Sequence, residues 1–148
     1  MLIIVGVDPG GTTGLAVYEP GDSHFKEQTE LGPHEHHTDL FQYLSDHFPD
    51  TIVCERFDYR PKQKAAELTS VEYIGIIKYF CDYATADLVL QQQLKGDKGL
   101  WTDDKLKALG LYKVGMPHAN DATRQVLYYV TVTMGDKMWL HNYKKAIE

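Results

Sequence analysis

With only two cysteines in 148 residues, Cys54 and Cys81, the chain has no material for a disulfide framework. No Cys-x-x-Cys pair offers a zinc or redox site, so both read as small buried apolar residues. Long apolar runs are missing as well. The N-terminal run, Leu2 to Val7, is short and ends at an aspartate, so it resembles neither a secretory h-region nor a membrane span. A cytosolic protein without a membrane partner is the expectation. No Pro/Gly/Ser-rich linker divides the chain, and 43% hydrophobic with 24% charged residues suits one soluble domain over 1–148.

Positive charge is also scarce: 15 Lys and Arg stand against 21 Asp and Glu, a formal net charge of −6. That argues mildly against nucleic acid, whose binding energy comes largely from phosphate contacts. The distribution is less adverse than the sum. Arg56, Arg60, Lys62 and Lys64 fall close together, Lys95 and Lys98 form a second patch, and Lys105, Lys107 and Lys113 a third. Local basic surfaces on an acidic body are therefore open, alongside the plainer reading of solvated lysines.

Leu2 to Val7 is apolar and β-branched and stops at Asp-Pro-Gly-Gly, which predicts a strand buried on both faces. Gly14 to Glu19 and His24 to Leu31, separated by Pro20-Gly21-Asp22, complete an antiparallel meander. A helix over Glu35 to His47, a strand over Thr51 to Glu55, a long helix over Pro61 to Tyr83 and a strand over Asp87 to Gln91 follow. Ala65, Leu68, Tyr73, Ile76, Ile77 and Phe80 are available for one face of the long helix. Thr102 to Leu109 has an N-cap start and Gly110 as its stop. Asn120 to Met134 mixes strand propensity with a helical face of Ala122, Val126, Tyr129, Val130 and Thr133, and is read as the last helix. The fold class is α/β, with a five-stranded mixed sheet of three antiparallel then two parallel strands and helices on both faces.

Four residues stand where this order can gather chemistry. Asp8 and Glu55 end the first and fourth strands, and functional groups collect at the carboxyl ends of strands in such sheets. Two carboxylates on adjacent parallel strands suggest a shared cation. His118 and Asp121 flank the start of the last helix at three-residue spacing, so both side chains can face one way. Oxygen-rich sites with one His suit Mg²⁺ or Mn²⁺, and a pair of such ions hydrolyses phosphodiesters. Each residue also has a structural reading: Asp8 as a turn former before Pro-Gly, Glu55 paired with Arg56 or Arg60, Asp121 at a helix start.

Val5-Gly6-Val7-Asp8-Pro9-Gly10-Gly11-Thr12-Thr13-Gly14 resembles the first motif of RuvC-like Holliday-junction resolvases. Ile52-Val53-Cys54-Glu55 is similar to their second acidic strand, and His118-Ala119-Asn120-Asp121-Ala122 to their closing helix motif, with phage-encoded members the most similar. The resemblance implies one RNase H-like nuclease domain over 1–148. It also implies Mg²⁺ or Mn²⁺, two ions in the usual arrangement, bound by Asp8, Glu55, His118 and Asp121 as the catalytic set. The implied partner is a four-way DNA junction, cut by a homodimer built on the 61–83 helix, in the bacterial host's cytoplasm if phage-encoded. Arg56, Phe57, Tyr59, Arg60, Lys62 and Lys64, with Lys95 and Lys98, would then meet DNA, the aromatics by stacking and the cations at phosphates. The match of Gln91 to Lys95 with the family's basic region is loose.

Other readings compete. Asp8-Pro-Gly-Gly-Thr-Thr-Gly also resembles the phosphate loop of sugar kinases and actin-like ATPases, but those need two lobes. An RNA-processing nuclease of the same fold, or a non-catalytic nucleic-acid or protein-binding module, remain the alternatives. His34-Glu35-His36-His37 tempts a zinc reading, yet lacks cysteine partners and fits a solvated loop better. Cys54 should face away from Glu55, on the other side of its strand.

Overall fold

The computed structural model describes residues 2–32, 37–58, 65–93 and 99–148. Its centre is a five-stranded sheet of β1 (Ile4–Asp8), β2 (Thr13–Glu19), β3 (His24–Leu31), β4 (Thr51–Glu55) and β5 (Asp87–Gln91), in the order β3-β2-β1-β4-β5. β1, β2 and β3 pair antiparallel, whereas β1 with β4 and β4 with β5 pair parallel. The expected meander and parallel pair are both present. β1 reaches one residue further than its apolar run because Asp8 still pairs with Gly14.

Alternation along the strands splits the interior into two cores. On one side Val5, Val7, Ile52 and Cys54 meet α1 (His37–His47) through Leu40 and Leu44, and α2 (Ala65–Ala84) through Tyr73, Ile74, Ile77 and Phe80. Leu68, expected on that face, is exposed instead. On the other side Ile4, Ala16, Tyr18 and Val53 meet α3 (Asp103–Ala108), α4 (Pro117–Tyr128) and α5 (Met138–Ala146). Each fully buried aliphatic or aromatic side chain there contributes about 1.5–3 kcal/mol relative to exposure. Trp139 anchors α5, donating from Nε1 to the Tyr18 hydroxyl at 3.0 Å.

The C-terminal third corrects two expectations. The helix begins at Pro117, so His118 and Asp121 lie inside its first turns and do not flank its start. Pro suits that first position because its missing N–H needs no partner. Nor is this helix the last: a π-helical turn over Tyr129–Thr133, where the β-branched residues crowd, ends it, and α5 follows. Thr102 does cap α3, accepting from the Lys105 amide, and Gly110 stops it at φ +72°. Among the described residues no helix is long and apolar enough to cross a membrane.

Candidate active site

The register Val7 opposite Cys54 makes Asp8 and Glu55 the next residues on neighbouring parallel strands, about 4.8 Å apart across the sheet. Both side chains share the face of Gly6 and Val53, towards α4, and both residues are buried, at 2% and 5% exposure. Cys54 points into the opposite core as expected, and burial among apolar groups pushes its thiol far above the ordinary range.

Glycine lets α4 reach this point. A Cβ on Gly6 would lie 2.5 Å from the Ala122 carbonyl oxygen, and one on Gly14 would lie 1.8 Å from that of His118. With hydrogen at both positions the helix backbone rests directly on β1 and β2. Its first turn is fixed from outside as well. The Met116 side chain makes no cap bond, and Glu30 of β3 accepts from the His118 and Ala119 amides at 2.9 and 3.3 Å. A carboxylate there satisfies orphan amides and complements the helix dipole.

So placed, His118 donates from Nδ1 to Asp8 Oδ2 at 2.9 Å. That bond, reinforced by the negative charges of Asp8, Glu30 and Asp121, raises the imidazole pKa above its usual value despite partial burial. In metal-free protein the pair therefore stabilises the fold fully below the unfolded-state pKa of about 6.5, and that contribution is lost as pH rises through the higher folded value. An NMR titration should show the raised His118 pKa in wild-type protein and a fall towards 6.5 in Asp8→Asn. An unshifted wild-type value would mean that the contact does not hold in solution.

Asp121 takes a different partner. Its Oδ1 accepts from Arg124 Nη1 at 2.5 Å, and the buried guanidinium also bonds Asp103 and the Trp101 carbonyl. The four expected ligands thus divide into Asp8 and Glu55 side by side, His118 on Asp8, and Asp121 one turn along α4, held by Arg124. Among the described residues no three His, Cys, Asp or Glu side chains stand close enough together to hold a metal ion. The donor set at Asp8 and Glu55 nevertheless suits a hard divalent cation: two buried carboxylates on one face, with imidazole nitrogen in direct contact. Arg124 supplies positive charge to the acidic cluster, and His118 a hydrogen bond to Asp8.

Of the expected DNA-contacting residues, Arg56 is exposed and pairs with Asp58 at 3.0 Å, and Phe57 packs partly buried against the first core. Tyr59, Arg60, Lys62, Lys64, Lys95 and Lys98 lie outside the described residues, as do residues 34–36 of the histidine-rich segment; His37 pairs with Glu72. Sequence reasoning missed Glu30, Arg124, Gln91 and Gln125, whose types carry no positional signal. It also passed over Gly6, although a glycine inside a buried strand marks close backbone approach.

No protein-family model matches the chain, and no curated protein sequence does. Solved structures do match in shape. Thermus thermophilus RuvC in complex with Holliday junction substrate superposes with a TM-score of 0.67 at 15% identity, over 91% of this chain and 97% of that one. A second T. thermophilus RuvC structure gives 0.62 at 16% identity, covering 90% and 97%. Fowlpox virus resolvase with Holliday junction DNA gives 0.58 at 14% identity, covering 87% and 99%. The chain therefore has the RuvC-like form of the RNase H-like fold.

Proposed function

We propose that this protein is a metal-dependent endonuclease that resolves four-way DNA junctions by hydrolysing phosphodiester bonds, acting in recombination, repair or phage DNA processing. The observation that carries the reading is the placing of Asp8 and Glu55 at adjacent strand ends with His118 of α4 laid on Asp8. Such an assembly needs two close-approach glycines and a remote cap to exist, which a mere turn at Asp8 would not. The likeness in fold to two junction-bound nucleases supports the substrate class.

Asp8, Glu55, His118 and Asp121 would hold Mg²⁺ or Mn²⁺, Asp121 by exchanging part of its contact with Arg124. A divalent cation bound there activates water and stabilises charge on the scissile phosphate. The protein's own part is to hold the two carboxylates side by side at the ends of β1 and β4. His118 would serve as a ligand only through an unprotonated ring nitrogen, so the proton it shares with Asp8 would have to leave and cation binding would be favoured by rising pH. Arg124 keeps α4 joined to the loop before α3 while Asp121 changes partner.

A homodimer would present two such centres to the symmetric strands of a junction. The outer side of α2 supports this: Leu68, Val71, Tyr79 and Tyr83 are large apolar or aromatic side chains exposed along it, the kind of side chain an interface would cover. Arg56 and the neighbouring basic segment would meet phosphates, and Phe57 and Tyr59 unpaired bases.

The test is a substrate panel of four-way, flap and linear DNA in Mg²⁺ and in Mn²⁺, with four-way-shaped RNA alongside. Paired nicks in opposing strands of the four-way DNA, with linear duplex left intact, are expected. Preference for the RNA would reassign the substrate, and inertness on every branched form would remove the nuclease reading.

A further inference from the structure

Beside Glu55 lies a buried pair of carboxamides that the acidic cluster does not account for. Gln91 ends β5 directly opposite Glu55, and the strand alternation puts both side chains on the α4 face. Gln91 is 7% exposed and Gln125 1%. Gln91 Nε2 donates to the Gln125 carbonyl oxygen at 3.0 Å and to Gln125 Oε1 at 2.7 Å, while Gln125 Nε2 donates to the Gln92 carbonyl at 3.0 Å. The Arg56 amide, next after Glu55, donates to the Gln91 carbonyl at 2.7 Å. One residue therefore ties the end of Glu55's strand to the turn of α4 that follows Asp121.

The direction of the Gln91 amide is fixed by these partners, since a reversed amide would set its oxygen against two other oxygens. Its Oε1 is left buried with no hydrogen-bond partner among the described residues. Leaving a buried acceptor in that condition is unfavourable, and such a group in a native protein calls for an explanation, a bound ion or its water among them. An apolar side chain of similar length would pack there without that cost.

We infer that Gln91 is a positioning residue of the acidic site: its Nε2 clamps β5 to α4, and its Oε1 accepts a hydrogen bond from the hydration shell of a divalent cation held beside Glu55. The inference rests on the metal-dependent reading above and adds to it a residue outside the four carboxylate and imidazole ligands.

The experiment measures Mn²⁺ affinity on metal-free protein without DNA, by the paramagnetic resonance signal of free Mn²⁺. Gln91→Met loses donor and acceptor, whereas Gln91→Glu loses the donor and keeps an acceptor oxygen. Gln91→Met should bind Mn²⁺ about 10–100-fold more weakly, the usual loss for an outer-shell partner of a metal site. Gln91→Glu should recover most of that loss. Because Gln91→Glu also adds a negative charge that attracts Mn²⁺ by itself, its recovery counts only together with saturable Mg²⁺ shifts of the wild-type Gln91 side-chain amide signals. Wild-type affinity in Gln91→Met, or equal weakening in both variants, overturns the inference while leaving the metal site standing. Wild-type protein that binds no Mn²⁺ overturns the metal reading and this inference together. Should Gln91→Glu not fold, the Gln91 side-chain amide signals of wild-type protein decide: they should shift saturably with Mg²⁺, and constancy through saturation contradicts the proposal.

Discussion

Asp8→Asn is expected to reduce metal-dependent cleavage of four-way DNA well beyond the 10–100-fold typical of outer-shell partners, to near the detection limit, while junction binding persists. The substitution keeps the shape of the side chain and an oxygen that can still accept from His118 Nδ1, so α4 should stay in place and the fold should be little altered. What it removes is one negative charge of the two that face each other across β1 and β4. Glu55 would then be the one carboxylate left at the ends of β1 and β4 to offset the charge of a divalent cation, with Asp121 still shared with Arg124. Cleavage assayed with binding measured in Ca²⁺ separates the two effects. Cleavage within a few fold of wild type would exclude Asp8 from the chemistry, and loss of binding together with cleavage would show that its role is structural.

Gly14→Ala should be among the most damaging single changes in the protein, costing about 3 kcal/mol or more. The added Cβ would stand 1.8 Å from the His118 carbonyl oxygen and 2.1 Å from its carbon, both backbone atoms that no side-chain rotation can move away. Either α4 lifts off the sheet or β2 bends, and both separate His118 from Asp8. For a chain of this size the loss corresponds to a thermal midpoint about 6–12 °C lower. Gly11→Ala is the control, because nothing lies within 4 Å of the Cβ it would add. Similar midpoints for the two variants would mean that α4 does not sit against β2 as described.

The strand half of the fold was legible because β1, β2 and β4 are short, largely apolar runs bounded by turn chemistry; β3, β4 and β5 have the bounds their patterns predict. The same legibility gave Asp8 and Glu55, which close two apolar runs and needed only the parallel pairing to become neighbours. Helix α4 was harder. Val126 to Thr133 satisfies both strand propensity and a helical face, and only the Pro117 start, set by Glu30 from 88 residues away, fixes where its first turn lies. Likewise the division of His118 from Asp121 could not be read from a three-residue spacing, since it depends on Arg124 reaching Asp121, Asp103 and the Trp101 carbonyl at once. α5 escaped notice because its only deeply buried side chain, Trp139, gives no periodic signal. The buried Gln91 and Gln125 illustrate the same limit: polar residue types report a buried role only once their partners are in place.

The central claim is that Asp8 and Glu55 together form the cation-dependent cutting centre. Its most direct test follows wild-type protein and Glu55→Gln on one labelled four-way junction, first in chelator, then with Mg²⁺ or Mn²⁺ restored. Wild-type protein should bind without cutting in chelator and nick opposing strands once the cation returns, whereas Glu55→Gln should bind under both conditions and cut under neither. Wild-type cleavage that continues in chelator, or cleavage by Glu55→Gln at the wild-type rate, would contradict the account.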